Sequence, residues 1–99
     1  MCGIGGLVGL GNRQGVDLAA ASLSLMGKLL SHRGPDDSGQ WLDEGKCAGL
    51  VHQRLSIIDL SSAGHQPMRS AGGTVLVFNG EIYNYLELKE SLEGSWSFQ

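Results

Sequence analysis

The chain has 99 residues, of which 41% are apolar and 17% charged, and its net charge is −3 with no basic run. That balance excludes a long disordered chain and leaves no electrostatic footprint for nucleic acid. No apolar stretch reaches the ~18 residues that span a bilayer. The start, Met1-Cys2-Gly3-Ile4, has no basic segment of the kind that opens a secretory signal, so a cytoplasmic protein without a membrane partner is expected.

Cys2 to Leu10 is apolar and glycine-rich, and Ile4, Leu7 and Val8 suit a buried strand. Gly9, Gly11, Asn12 and Gly15 then mark a loop. Asp17 is placed to cap a helix that carries Leu18, Ser22, Leu25, Met26 and Leu29 at helical spacing, to about Leu30. Gly27 weakens this helix by ~1 kcal/mol. His32, Arg33, Gly34 and Pro35 end it with basic residues, a glycine and a proline. Ser38–Leu42 reads as a short strand, Asp43-Glu44-Gly45 as a turn, and Lys46–Leu55 as a second strand that Ser56–Leu60 continues or leaves irregularly. Ser61–Gly73 is a loop, Thr74–Phe78 a third strand, and Asn79-Gly80 a tight turn. Asn84 with Glu87 resembles a capping box for a last helix, which places Tyr85, Leu88 and Leu92 on one face and stops at Gly94. Residues 95–99 alternate like the start of another strand, so a fragment of a longer chain is expected. Strands joined by turns favour an antiparallel α+β arrangement over a doubly wound parallel sheet.

Several chemistries find no support. The sixteen glycines include no G-x-G-x-x-G between a strand and a helix, so the early glycines read as sites of close packing. Cys2, Cys47 and the three histidines show no pair at zinc-ligand spacing, and two cysteines are too few for a disulfide framework. Cys47 reads as a small buried hydrophobe. His52 and His65 read as packed or hydrogen-bonded side chains. Cys2 is different. Once the initiator methionine is removed, its thiol shares a residue with a free α-amine. Such an amine titrates near ~7.7–8.0, against ~10.4 for lysine, and is partly neutral at pH 7. It can take the thiol proton, so that nucleophile and base arrive together.

Five segments carry a family resemblance: Cys2-Gly3-Ile4, His32 to Asp37, His52 to Asp59, His65 to Met68 and Phe78 to Asn84. In that order they resemble the glutaminase domain of glutamine-dependent asparagine synthetases, class II glutamine amidotransferases of the N-terminal-nucleophile hydrolase superfamily. The resemblance implies the N-terminal part of an αββα sandwich with two antiparallel sheets between helical layers. It implies that Cys2 attacks the carboxamide of glutamine, giving a γ-glutamyl thioester and ammonia. Asn79, through its side-chain amide, and Gly80, through its backbone N–H, would form the oxyanion hole. Arg54 would hold the substrate α-carboxylate, backbone groups of Ile57 and Ile58 the rest of the amino acid, and Glu81 its ammonium. His32, Arg33 and Asp36 would brace the loop near the nucleophile. No metal is implied in this chain.

The family's glutaminase domain is longer and supplies a further aspartate for the substrate ammonium beyond residue 99. It is followed by a synthetase domain with a Ser-Gly-Gly-x-Asp-Ser loop. The resemblance therefore places ATP and magnesium only in that second domain, makes the domain a partner of this chain, and leaves a homodimer of the full-length protein as an expectation. The acceptor is aspartate in the asparagine synthetases and something else in their near relatives. A non-catalytic truncated remnant that serves only as an interaction module is the reading from another class.

Overall fold

A computed structural model describes residues 1–9, 13–43, 45, 48–57 and 60–97. The first strand, β1 (Gly3–Val8), is followed by helix α1 (Arg13–Leu30) and a single 3-10 turn at Ser31–Arg33. Strands β2 (Asp37–Asp43) and β3 (Ala48–Arg54) come next. A second 3-10 turn (Ser62–Gly64) leads to β4 (Met68–Arg69) and β5 (Val75–Leu76), and α2 (Tyr85–Leu92) closes the described chain.

Strands β1, β2 and β3 form one antiparallel sheet with β3 at its centre. The register sets Gly3 against Gln53 on one side, and Ser38 against Gln53 on the other. Short strands β4 and β5 form a separate antiparallel pair. The mixture of helix and antiparallel sheet is the α+β class expected from the turns.

Helix α1 packs on one face of the larger sheet. Its buried stripe is Ala19, Leu23 and Gly27, flanked by the half-buried Ser22, Met26 and Leu30. The expected stripe was partly misplaced, because Leu18, Leu25 and Leu29 are 57–65% exposed. The reason is the close approach of helix and sheet. A Cβ at Gly27 would lie 3.2 Å from the Gln53 amide, and one at Gly5 would lie 3.3 Å from the Met26 sulfur. Small residues belong at such a contact, so glycine and alanine hold the positions that a search for leucines passes over. This also accounts for Gly27, whose cost to the helix is offset by the packing it allows.

Other expectations shift at the ends of elements. Helix α1 starts at Arg13, so Asp17 lies inside it and caps nothing. Arg13 and Gln14 are good helix formers and extend the helix through Gly15. Asn84 does precede α2, but its side chain makes no capping hydrogen bond. The strand expected over Thr74–Phe78 pairs only at Val75 and Leu76, and among the described residues no strand follows Asn79-Gly80. Residues 95–97 form no strand. Cys47 lies outside the described residues.

The second sheet face carries Ile4, Val8, Trp41 and Leu50. It holds an open apolar hollow of about 380 Å³ between Val8, Trp41 and Leu50. On the opposite side, Leu23 of α1, 1% exposed, is the largest fully buried apolar side chain among the described residues. Leu23→Ala in the natural protein is expected to destabilise this unit by roughly 2–5 kcal/mol, measured by chemical denaturation. A loss below about 0.5 kcal/mol would show that the helix–sheet contact is not the core of this unit.

Candidate active site

Pairing of β1 with β3 brings the residue before β1 beside the residue after β3. Cys2 and Leu55 are therefore neighbours. The Cys2 Sγ accepts a hydrogen bond from the Leu55 backbone N–H at 3.3 Å, and the thiol reaches the Leu55 carbonyl at 3.7 Å. Cys2 is a half-buried free thiol. Its carbonyl accepts from the Asn79 side-chain amide (Nδ2) at 3.1 Å, which ties the start of the chain to the segment after β5.

The loop after β3 is braced from the β2 side. The Asp36 backbone N–H donates to the Arg54 carbonyl at 3.0 Å, and the Asp36 carboxylate accepts from the Ser56 N–H at 2.8 Å. Gly34 permits this approach, because a Cβ there would overlap the Gln53 and Arg54 backbone. Of the residues expected to brace the loop, Asp36 does so directly, whereas His32 and Arg33 are exposed. His65 Nδ1 lies 2.5 Å from the Asp37 carboxylate, so this histidine is hydrogen-bonded as expected.

On the other side, the Phe78 N–H donates to the Gln66 side-chain oxygen at 2.6 Å. This fixes the segment after β5 that leads into Asn79 and Gly80. Between the two braced loops opens a pocket of about 370 Å³. Cys2, Arg54, Ile57, Asn79, Gly80 and Glu81 all line it. Six of the seven residues singled out in the sequence thus share one cavity, and the seventh, Ile58, lies outside the described residues. Ser56, Gln66, Phe78 and Tyr83 line it as well and were not singled out. Gln66, Phe78 and Tyr83 sit within segments of the family resemblance, which is the signal that pointed to them.

Arg54 is only 8% exposed. Its Nη1 donates to the Ser61 carbonyl at 2.6 Å, and its guanidinium lies where a Cβ on Gly64 would go. It is a buried cation at the pocket wall. Glu81 is exposed at the rim and places a carboxylate there. The pocket thus combines a thiol, an amide donor, a guanidinium and a carboxylate. That set suits a small zwitterion bearing a carbonyl to be attacked.

The sequence profile of the glutamine amidotransferase domain matches residues 1–99. The chain belongs to this family. Two Bacillus subtilis proteins named glutamine-hydrolysing asparagine synthetase, numbered 1 and 2, are 42% and 41% identical to it over 94% and 93% of this chain. A Gibberella zeae protein named amidase chry2 is 46% identical over 71% of the chain. The chain spans only 14%, 12% and 11% of these three relatives. No helix among the described residues is long and apolar enough to cross a membrane.

One titratable group of the site region is displaced. Burial lowers the His52 pKa below its ordinary 6.5, with Arg54 and His65 acting in the same direction and the Phe78 backbone and Asp37 opposing. Above that ordinary value the ring is neutral in both folded and unfolded chains. As pH falls through it, the unfolded chain takes up a proton that the folded chain does not. Stability therefore declines until the lowered folded-state pKa is passed. Denaturation midpoints of wild type and His52→Leu, compared from about pH 8 down to about pH 5, are expected to show a steeper acid-side decline in wild type. Parallel curves would show that the buried ring does not carry this dependence.

Proposed function

We propose that this chain is the glutamine-hydrolysing part of an asparagine-synthetase-type amidotransferase, with Cys2 as an N-terminal nucleophile. The observation that supports it most is the shared pocket: the Cys2 thiol, the Asn79 amide and Arg54 converge on one small cavity within a glutamine amidotransferase chain. In this reading residues 1–99 are the N-terminal part of the αββα glutaminase domain. The open apolar face with Ile4, Trp41 and Leu50 belongs against the second sheet of that sandwich. Ammonia passes to an ATP-dependent synthetase domain. The acceptor is aspartate by analogy with the Bacillus relatives, and the differently named Gibberella relative shows that the same N-terminal part accompanies other names.

Met1 precedes the nucleophile, so the mechanism starts after its removal. The freed α-amine of Cys2 takes the thiol proton. The sulfur attacks the side-chain carbonyl carbon of glutamine, whose oxygen gains negative charge in the tetrahedral intermediate. The Asn79 Nδ2–H and the Gly80 backbone N–H donate to that oxygen. The carbon–nitrogen bond then breaks. The leaving nitrogen takes a proton from the α-ammonium and departs as ammonia, leaving a γ-glutamyl thioester. Water, deprotonated by the same amine, attacks the thioester and releases glutamate and the thiol. Arg54 holds the substrate α-carboxylate, the Ile57 and Ile58 backbone orients its chain, and Glu81 faces its ammonium.

Two kinds of kinetic failure test the assignments in the natural protein. Cys2→Ala is expected to abolish glutamine-dependent synthesis and to spare synthesis from added ammonia. Equal loss of both would make the residue structural. Asn79→Ala is expected to lower kcat by roughly 10²–10³ with little change in KM, because its donor acts on charge that develops in the transition state. Arg54→Lys keeps the charge but loses the fork, and is expected to raise KM for glutamine about tenfold or more with a smaller effect on kcat. The opposite pattern in steady-state glutamate release would overturn both roles.

A further inference from the structure

Three consecutive side chains of β3, those of His52, Gln53 and Arg54, are polar and buried. Two of them are partnered. The Gln53 amide donates to the Ser38 hydroxyl at 2.6 Å, and Arg54 donates to the Ser61 carbonyl. His52 is fully buried, and neither ring nitrogen has a close, well-aligned hydrogen-bond partner among the described residues; its polar contact is with the Phe78 backbone. A buried ring nitrogen without a good hydrogen bond adds little to the stability of the fold. Folding stability therefore does not explain this ring.

Its location gives a reason. Val51 and Gln53 face α1, so His52 faces the other side of the sheet, between Ile4 and Gly39 in the register. Gly39 lies directly under the Gln66 carbonyl and leaves no room there for a side chain. The Phe78 backbone lies beside the ring. Phe78 is in turn bonded to the Gln66 side chain and is followed at once by Asn79 and Gly80. The ring does not line the pocket itself. It stands behind the wall that carries the two amide donors.

We propose that His52 is a positioning residue of the glutamine-hydrolysing site, a spacer that sets the height of the Phe78–Gly80 segment above β3 and so the distance from its amide donors to the Cys2 sulfur. The proposal rests on the glutamine-hydrolase reading and deepens it. The charged and titratable groups around the ring are Asp37 on β2, Arg54 on β3 and His65 after the second 3-10 turn.

The test uses the natural protein with His52→Ala, which removes the spacer, and His52→Leu, which keeps similar bulk without nitrogens. Two quantities are read. One is kcat and KM for glutamate release. The other is the rate at which iodoacetamide alkylates Cys2, followed by mass spectrometry of the N-terminal peptide. Alkylation needs the thiol but no donor for an oxyanion, so it separates a displaced donor pair from a collapsed site. His52→Ala is expected to lose about tenfold or more in kcat, with KM and the alkylation rate within about twofold of wild type. His52→Leu is expected to keep kcat within about threefold of wild type. Wild-type kcat in His52→Ala, a parallel fall of kcat and alkylation, or a His52→Leu enzyme as slow as His52→Ala would each overturn the spacer role. Glutamate release that survives Cys2→Ala would instead bring down the glutamine-hydrolase reading on which it rests.

Discussion

The antiparallel register of β1 against β3 is the constraint on which the site depends. Setting Gly3 opposite Gln53 places Cys2 one step beyond one strand end and Leu55 one step beyond the other. The bond from the Leu55 N–H to the Cys2 sulfur follows from that register. A slip of one residue would turn every side chain of β1 to the opposite face and carry Cys2 away from the loop after β3. The start of a chain is usually its loosest part. Here it is the edge strand of a sheet whose centre is β3, and its first residues are tied to two loops.

Close packing enforces that register. Gly3 and Gly5 let α1 lie against β1, and Gly34 lets the segment before β2 cross the end of β3. Gly39 does the same for the Gln66 segment. At each position a Cβ would press on a neighbouring strand, helix or loop. The glycines therefore convert a small sheet into a rigid bed for three separate loops. Asp36 bonds to Ser56, Gln66 to Phe78 and Asn79 to Cys2, so each loop is held by a bond to another part of the chain. A polar pocket framed by loops on a sheet is where specific binding concentrates.

Much of this was legible in the residues. The strands at Gly3–Val8, Asp37–Asp43 and Ala48–Arg54 lie close to the expected bounds between turn residues, and α1 follows from its spacing. What failed, failed for physical reasons. Periodicity weights leucine, so it chose Leu18, Leu25 and Leu29 for the helix face, whereas close packing chose Ala19 and Gly27. An aspartate that could cap a helix lies inside one, because capping preference is weaker than continued helical spacing. The clustering of Cys2 with Arg54 and Asn79 was not derivable from spacing, since pairing across more than fifty residues is a property of the sheet. It came from the family resemblance. His52 read as a packed or hydrogen-bonded side chain, because only its burial beside the Phe78 backbone points to a further role.

In the proposed reaction Cys2, freed of Met1, carries the γ-glutamyl group. The most direct measurement is acid quenching of the natural protein during turnover with radiolabelled glutamine, followed by digestion and mapping of the label. The expected result is a labelled peptide that begins at Cys2 and loses its label to hydroxylamine, as a thioester does. Label on a peptide that still begins with Met1, label elsewhere in the chain, or turnover to glutamate with no thioester at all would contradict it.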